Sequence, residues 1–411
     1  MKYLLTMTYL ILSCSLVWAD SVLITNGLVW TPDQETVANT DIHIVDGLIT
    51  RVGPDLDGLS SDITIDAAGR LVTPAFFAGI TAVGLSEIGM VYESVDSRLN
   101  ALYTGLMHPE FDVRDAYNPH SSVVPVTRIE GFGYTLLAAA PGDRTLSGQG
   151  SLVRLDGGFS SFEGSTVIFV NVDGPSSDMV GGSRAAHWML LEAAFAEQNT
   201  ADSDLKLISP LGKAALKDAQ RTGIFVFRAN RASDIIRVLQ FAKERRLNAV
   251  ISGGQEAWMV RDALADARIP VVINALDNLP GSFDALGARL DNAALLHSAG
   301  VKVLFTSGET QNARKVRQVA GNAVAHGLPH SVAMAAMTSE PAAVFGGQQR
   351  EIATGRLADL VVWSGDPLDV NAAADVVIAG GIPDPMTSRQ TQLLQRYLPE
   401  DAGLGRAYIR P

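Results

Sequence analysis

The sequence predicts an α/β protein in which a TIM-type (β/α)8 barrel carries a small composite β-sandwich domain formed by both chain ends. Eight apolar runs of strand length alternate with helical patterns in the middle of the chain, which is typical of a barrel. Short strand-and-turn patterns occur at both ends instead. The length of 411 residues, 47% of them hydrophobic, suits one barrel of about 250 residues and one smaller domain.

The composition argues against two classes of partner. The formal net charge is −12, and no stripe of lysine and arginine is available to neutralise phosphates, so we expect no binding to nucleic acid. No segment beyond the first twenty residues has the roughly 20 uninterrupted apolar residues of a transmembrane span. We therefore expect no such span.

Residues 1–19 have the pattern of a signal peptide. Lys2 precedes an apolar stretch, and Val17-Trp18-Ala19 offers a cleavage site before Asp20. The pattern predicts an exported protein, most simply in a bacterial periplasm. A second interpretation is a lipoprotein anchored through Cys14, the sole cysteine, although Leu12 fits a lipid-attachment motif poorly.

The elements follow in order along the mature chain. Residues 20–74 carry hairpin patterns with turns at Asn26-Gly27 and Asp46-Gly47 and form the first part of the β-sandwich. Residues 75–346 form the barrel. Residues 347–383 supply the second part of the β-sandwich, and residues 384–411 are a C-terminal tail. The predicted barrel strands are 76–83, 134–140, 151–155, 166–172, 223–230, 248–253, 269–274 and 301–307, of which the third has the weakest pattern.

The helices between these strands have clearer patterns. After Asn312, a stripe of apolar residues at i, i+3, i+4, i+7 and i+8 predicts a helix that packs on the sheet and ends at His326-Gly327. The stripe consists of Val316, Val319, Ala320, Ala323 and Val324. A final helical region begins at Ser331, continues past Ser339 and ends at Gly346-Gly347.

Several segments resemble the amidohydrolase superfamily. The stretch 71–85, with Pro74-Ala75-Phe76-Phe77-Ala78-Gly79-Ile80-Thr81-Ala82, resembles the start of that barrel, where the family has Pro-Gly-hydrophobic-hydrophobic-Asp-x-His-x-His. Residues 355–367 are similar to the closing part of imidazolonepropionase-like amidohydrolases, and 115–119, 148–157 and 228–235 are similar to the same subgroup. The resemblance implies a hydrolase of non-peptide carbon–nitrogen bonds, such as those of cyclic amides.

The resemblance also implies one or two divalent metals at the barrel mouth, which activate a water molecule. Ile80 and Ala82 occupy the positions of the two first-strand histidines, Arg228 that of the fifth-strand histidine, and Gly308 that of the eighth-strand aspartate. Aliphatic and guanidinium groups cannot donate electron pairs to a metal. We therefore expect no metal cofactor; zinc or another divalent ion would be needed only if the family activity is retained.

Few residues could replace the lost ligands. Glu309, beside Gly308, and His120, in the long insertion after the first strand, are weak catalytic candidates. The other histidines do not follow barrel strands, and no serine-hydrolase elbow, phosphate-binding loop or dinucleotide fingerprint occurs.

A cationic group follows the fifth strand. Arg228, Asn230 and Arg231 could hold an anionic ligand through charge-assisted hydrogen bonds. The alternative is that Arg228 forms an ion pair with Glu87, Glu93 or Glu309 in the space that the metal vacates.

Three functions stay open at this point. The protein is a catalytically silent homologue that acts as a binding or partner subunit, in a homo-oligomer or in a hetero-oligomer with an intact amidohydrolase. Alternatively, it is an active amidohydrolase with unrecognised ligands, or a periplasmic small-anion binding protein anchored by Arg228.

Overall fold

The computed structural model describes residues 21–32, 35–99, 107–140, 144–173, 182–200 and 206–397. The predicted signal peptide with Cys14 lies outside these residues, as does the end of the predicted C-terminal tail, 398–411.

Strands from both chain ends form one eight-stranded sheet, in the order β16-β15-β14-β5-β1-β2-β3, with β4 paired to β1. These strands are β1 Ser21–Thr31, β2 Glu35–Val45, β3 Leu48–Gly53, β4 Ile63–Asp66, β5 Leu71–Pro74, β14 Leu360–Trp363, β15 Ala374–Ala379 and β16 Ile382–Pro383. The composite character predicted from the sequence is confirmed, because β14 pairs antiparallel with β5 in the register Leu360↔Pro74 and Val362↔Val72.

The order of this sheet follows from its turns and its apolar face. Asp46 and Gly47 both have positive φ, 53° and 77°, as the tight hairpin between β2 and β3 requires. The first half of β1 pairs with β4 and the second half with β5, so the sheet branches along this strand. Val22, Ile24 and Ile42 belong to the buried apolar cluster that the sheet encloses.

The barrel strands form a second eight-stranded sheet in chain order, which confirms the predicted fold class. They are β6 Phe76–Thr81, β7 Phe132–Leu137, β8 Leu146–Arg154, β9 Phe162–Asn171, β10 Ile224–Ala229, β11 Ala249–Gly253, β12 Val271–Ile273 and β13 Val303–Phe305. Each overlaps one of the eight strands predicted from the sequence. β12 and β13, for instance, are continuous apolar runs because both of their faces are buried.

The third barrel strand differs from an all-parallel expectation. β8 pairs antiparallel with both β7 and β9. Only residues 155–161 separate β8 from β9, and a parallel connection needs about a dozen residues or more. Asp156 stabilises this hairpin turn, since its Oδ1 accepts hydrogen bonds from the Gly158 N–H at 2.9 Å and from the Ser161 hydroxyl at 2.5 Å.

The barrel closes where β6 meets β13. The Ile80 N–H donates to Thr306 Oγ1 at 3.1 Å, and the Ala82 N–H donates to Thr310 Oγ1 at 3.0 Å. Gly79 permits this approach, because a Cβ there would lie 2.9 Å from Thr306 Cα and its φ is +87°. The hydroxyl groups of Thr306 and Thr310 therefore connect the segment after β13, the last barrel strand, to β6, the first.

The helices are α1 Val123–Arg128, α2 Arg184–Glu197, α3 Pro210–Thr222, α4 Ala232–Arg245, α5 Arg261–Ala267, α6 Asn292–Ser298, α7 Val316–Ala325, α8 His330–Met337, α9 Ser339–Phe345 and α10 Arg389–Tyr397. The stripe predicted after Asn312 is the buried face of α7, where Val316, Val319 and Ala320 are fully enclosed. Within the described ranges, no helix is long and apolar enough to cross a membrane.

A buried ion network joins the two sheets. Asp359, just before β14, accepts hydrogen bonds from Arg154 Nε and Nη2, each at 2.9 Å, and from Arg350 Nη1 at 2.8 Å. The Gly380 N–H donates to the same carboxylate at 2.6 Å, and Arg350 also pairs with Glu163. Burial raises the pKa of Asp359, but the hydrogen bonds and charges of the arginines outweigh it and hold that pKa below its usual value.

Candidate functional site

A cavity of about 350 Å³ opens at the carboxyl ends of the parallel barrel strands. This is where enzymes with this architecture place their active sites. Every barrel strand, or the segment that follows it, contributes to the wall. One residue from each, in chain order, is Ile80, Ala138, Ser147, Asn171, Arg228, Ser252, Asn274 and Thr306.

The positions that resemble metal-ligand positions all line this cavity. Ile80, Ala82, Arg228 and Gly308 lie on its wall, although they come from opposite parts of the chain. The four positions that the sequence resemblance singles out therefore lie together in one cavity.

The side chains at this place do not fit a divalent metal. The four positions offer two aliphatic groups, a guanidinium and a glycine, none of which is a metal ligand. Among the residues that the structure describes, no three histidine, cysteine, aspartate or glutamate side chains are grouped so as to hold an ion. No chemistry through a metal can be derived from these residues.

Arg228 projects from β10 into the cavity. Its neighbours Phe227 and Ala229 are buried, and strand alternation turns the guanidinium to the opposite side, where 53% of the side chain is exposed. Its Nε lies 3.7 Å from Asp173 Oδ2, too far for a hydrogen bond. The guanidinium donates no hydrogen bond to any described residue.

Among the described residues, the ion-pair partner of Arg228 is Asp173, so the expected pairing with Glu87, Glu93 or Glu309 is wrong. Asp173 follows β9, the strand that pairs in register with β10. Its carboxylate accepts from Asn230 Nδ2 at 2.6 Å and from the Asn230 N–H at 3.3 Å, which orients it toward Asn230.

The rejected glutamates have other partners. Burial raises the pKa of Glu87, but hydrogen bonds from Ser122 and Ser121 lower it more, so the net shift is downward. Glu93 is exposed on the short 3-10 helix Tyr92–Ser94. Glu309 accepts from Asn312 Nδ2 at 2.7 Å, and this hydrogen bond is the main cause of its lowered pKa.

The other predicted site residues divide into two groups. Asn230 lines the cavity together with Arg228. Arg231, His120 and Glu309 are not part of its wall: Arg231 lies at the N-terminus of α4, and the exposed His120 ring packs edge-on against Phe159 at 5.1 Å. Arg231 is separated from the cavity because the chain leaves β10 after Ala229 and turns into α4 at this residue.

Asp277 is a cavity residue that sequence reasoning missed. It lies in a turn after β12, where its N–H donates to the Asn274 carbonyl at 3.0 Å. Burial raises the pKa of its carboxyl, a hydrogen bond from Asn274 lowers it, and the charge of Glu309 raises it, with a net upward shift. One feature of the sequence could have indicated Asp277 as a site residue, namely its position three residues after the end of the predicted strand 269–274.

Comparison with known proteins identifies the fold. No protein-family model matches the sequence. A stretch of 109 residues, 26% of this chain, is 33% identical to amidohydrolase tasK of Hapsidospora irregularis and spans 11% of that protein's length. The chain thus covers only a small part of this relative.

The matching solved structures cover most of the chain. An amidohydrolase from Thermotoga maritima MSB8 matches with a TM-score of 0.76 at 20% identity, over 88% of this chain and 99% of that chain. An adenosine deaminase from Xanthomonas campestris with bound zinc matches with a TM-score of 0.51 at 16% identity, over 88% and 92%. N-isopropylammelide isopropylaminohydrolase from Burkholderia multivorans matches with a TM-score of 0.51 at 13% identity, over 88% and 97%.

These matches confirm, at the level of the fold, the resemblance found in the sequence. The chain has the fold of the amidohydrolase superfamily, with its barrel and its additional sheet.

Proposed function

We propose that this protein is a catalytically silent amidohydrolase homologue that binds a small anionic molecule at the barrel mouth. The observation that carries the proposal is Arg228. This permanent cation occupies a position at which the resemblance to the superfamily implies a metal ligand. Its side chain lines the cavity and donates no hydrogen bond to a described residue.

The surroundings of Arg228 suit a polar ligand. Asn171, Asn230 and Ser252 contribute amide and hydroxyl groups to the cavity wall. A few polar groups in a partly apolar pocket are typical of small-molecule sites, because they orient the ligand without a large desolvation cost. A carboxylate or phosphonate could accept two parallel hydrogen bonds from the guanidinium.

The same cavity wall does not favour hydrolysis, because its described residues offer no site for a metal that would activate water. Attack on a carbon–nitrogen bond at neutral pH needs an activated water, and in this fold a metal supplies it. Glu309, the carboxylate that the sequence offered as a replacement ligand, accepts a hydrogen bond from Asn312 and lies outside the wall.

Ligand binding measured on Arg228 variants tests the proposal. We expect small carboxylates and phosphonates to stabilise the wild type against heat, because a ligand that binds the native state raises its stability. Loss of charge-assisted hydrogen bonds in Arg228→Gln should weaken affinity by about tenfold or more. Arg231→Gln is the matched control, since it removes an arginine three positions along the chain that does not line the cavity. Equal stabilisation of all three proteins would contradict the proposal.

A role as a partner subunit is a second candidate function. Loops beside the barrel mouth expose large apolar side chains, with Met90 98% and Phe283 88% accessible. Contiguous exposed apolar patches mark contact surfaces between proteins, and we propose that these side chains form part of one. A mass measurement of the purified protein by light scattering distinguishes a monomer from an oligomer, and Phe283→Ser should shift an oligomer towards the monomer.

We also propose that the protein is exported through residues 1–19. The mass of the intact mature chain tests this, because cleavage after Ala19 predicts an N-terminus at Asp20. A lipid on Cys14 would give a different mass and would place the protein on a membrane.

A further inference from the structure

The cavity wall carries two charged side chains among the described residues, Arg228 and Asp277, and they have opposite signs. All other described lining residues are neutral. From this arrangement we infer that the ligand is dipolar, with an anionic group bound by Arg228 and a protonated amine bound by Asp277. The inference rests on the proposed function and names its ligand class.

The fold keeps the two charges apart. Arg228 lies on β10, paired in register with Ser252 of β11, and β11 in turn pairs with β12, which precedes Asp277. Two steps between neighbouring strands amount to about 10 Å. The charges therefore stand on separate edges of one cavity and do not neutralise each other across it.

Neither charge has a hydrogen-bonded ion-pair partner among the described residues. Asp173 Oδ2 lies 3.7 Å from Arg228 Nε, and it is hydrogen-bonded to Asn230 instead. Among the described residues, no lysine, arginine or histidine nitrogen lies within ion-pair distance of the Asp277 carboxylate. Both side chains are exposed to the cavity, so each can contact a ligand group of opposite charge.

The environment of Asp277 adds to its preference for a cation. Burial is the main cause of the raised pKa of Asp277, and the negative charge of Glu309 adds to it, so this edge of the cavity carries negative potential. The neutral polar residues between the edges, Ser252 and Gln255 of the β11 segment, bear no charge that would oppose a dipolar molecule.

The test uses ω-amino acids and singly charged analogues of the same length. Affinities of the full-length protein for 4-aminobutyrate, 6-aminohexanoate, hexanoate and hexylamine are measured by calorimetry at neutral pH. We expect 6-aminohexanoate to bind about tenfold more tightly than hexanoate, because it adds one charge-assisted interaction. In Asp277→Asn this advantage should fall to less than about twofold, while hexanoate still binds in an Arg228-dependent manner.

The control variant is Glu309→Gln, which removes a carboxylate that lies outside the cavity wall and should keep most of the preference for the ω-amino acid. If the wild type binds hexanoate in an Arg228-dependent manner but shows no preference for an ω-amino acid, the dipolar ligand is refuted and anion binding stands. If none of the compounds binds in an Arg228-dependent manner, both the inference and the proposed function fail.

Discussion

Replacing Asp359 by asparagine should destabilise the protein far more than replacing a carboxylate in an exposed ion pair. Asp359 is only 5% exposed, and four N–H groups converge on its two oxygens. An amide offers one oxygen, so in either orientation two of these donors would face an NH2 group.

The magnitude follows from those lost contacts. Two charge-assisted hydrogen bonds contribute about 1.5–3 kcal/mol each, and breaking one partner of a buried ion pair costs about 3–5 kcal/mol. We therefore expect Asp359→Asn to lower the free energy of unfolding by about 3–5 kcal/mol. Asp375→Asn is the matched control: its pair with Arg70, at 2.7 Å, is 32–34% exposed and should contribute about 0–1 kcal/mol.

Urea unfolding followed by circular dichroism measures both variants against the wild type. The pH dependence of the same curves supplies an independent check. Because the native pKa of Asp359 is lowered, its stabilising contribution is present above the unfolded pKa and is lost as pH falls through the native pKa. The gap between wild type and Asp359→Asn should therefore narrow in acid. A loss no larger than that of Asp375→Asn at neutral pH would refute the assigned role of this network.

Three further predictions concern the barrel. Gly79→Ala should lower the free energy of unfolding by several kcal/mol, measured by thermal unfolding. Gly69→Ala is the control: Gly69 has a similar positive φ of +76° but no atom within 4 Å of the added Cβ, so this change should cost only about 1 kcal/mol. Equal losses would show that the contact between Gly79 and Thr306 does not limit the size of residue 79. Asp277→Asn should raise the melting temperature of the protein at pH 7 but not at pH 3. Burial and the charge of Glu309 raise the pKa of Asp277 in the folded protein, so the stability that the protonated carboxyl provides in acid is lost as pH rises through that folded-state pKa. A lower melting temperature of the variant at pH 7 would contradict this prediction. A variant that restores the family ligands should bind zinc in a titration followed by calorimetry, and failure of the folded variant to do so would show that these positions do not converge. It combines Ile80→His, Ala82→His, Arg228→His and Gly308→Asp.

Much of the fold could be predicted because burial leaves a direct mark on the sequence. Strands covered on both faces read as continuous apolar runs, and β10 and β11 were predicted to within a residue or so of their bounds for this reason. The direction of β8 could not be predicted in the same way. Its apolar pattern is equally consistent with a parallel or an antiparallel strand, and the short connection through Asp156 decides between them.

The candidate site was predicted in part. Ile80, Ala82, Arg228 and Gly308 were located at the barrel mouth through a resemblance to a known pattern, since each follows or ends a strand. The neighbour of Arg228 could not be predicted, because the choice of Asp173 depends on the register of β9 against β10. Asp277 was missed because its place on the wall depends on a turn that folds it back over the strand end.

The metal content of the purified mature protein tests the central claim most directly. Cells are grown with zinc, manganese and iron, the protein is dialysed, and bound metal is measured by mass spectrometry of the elements. Because aliphatic, glycine and guanidinium groups occupy the ligand positions, we predict far less than one metal ion per chain. One ion per chain that survives dialysis and is bound at the barrel mouth would contradict the account.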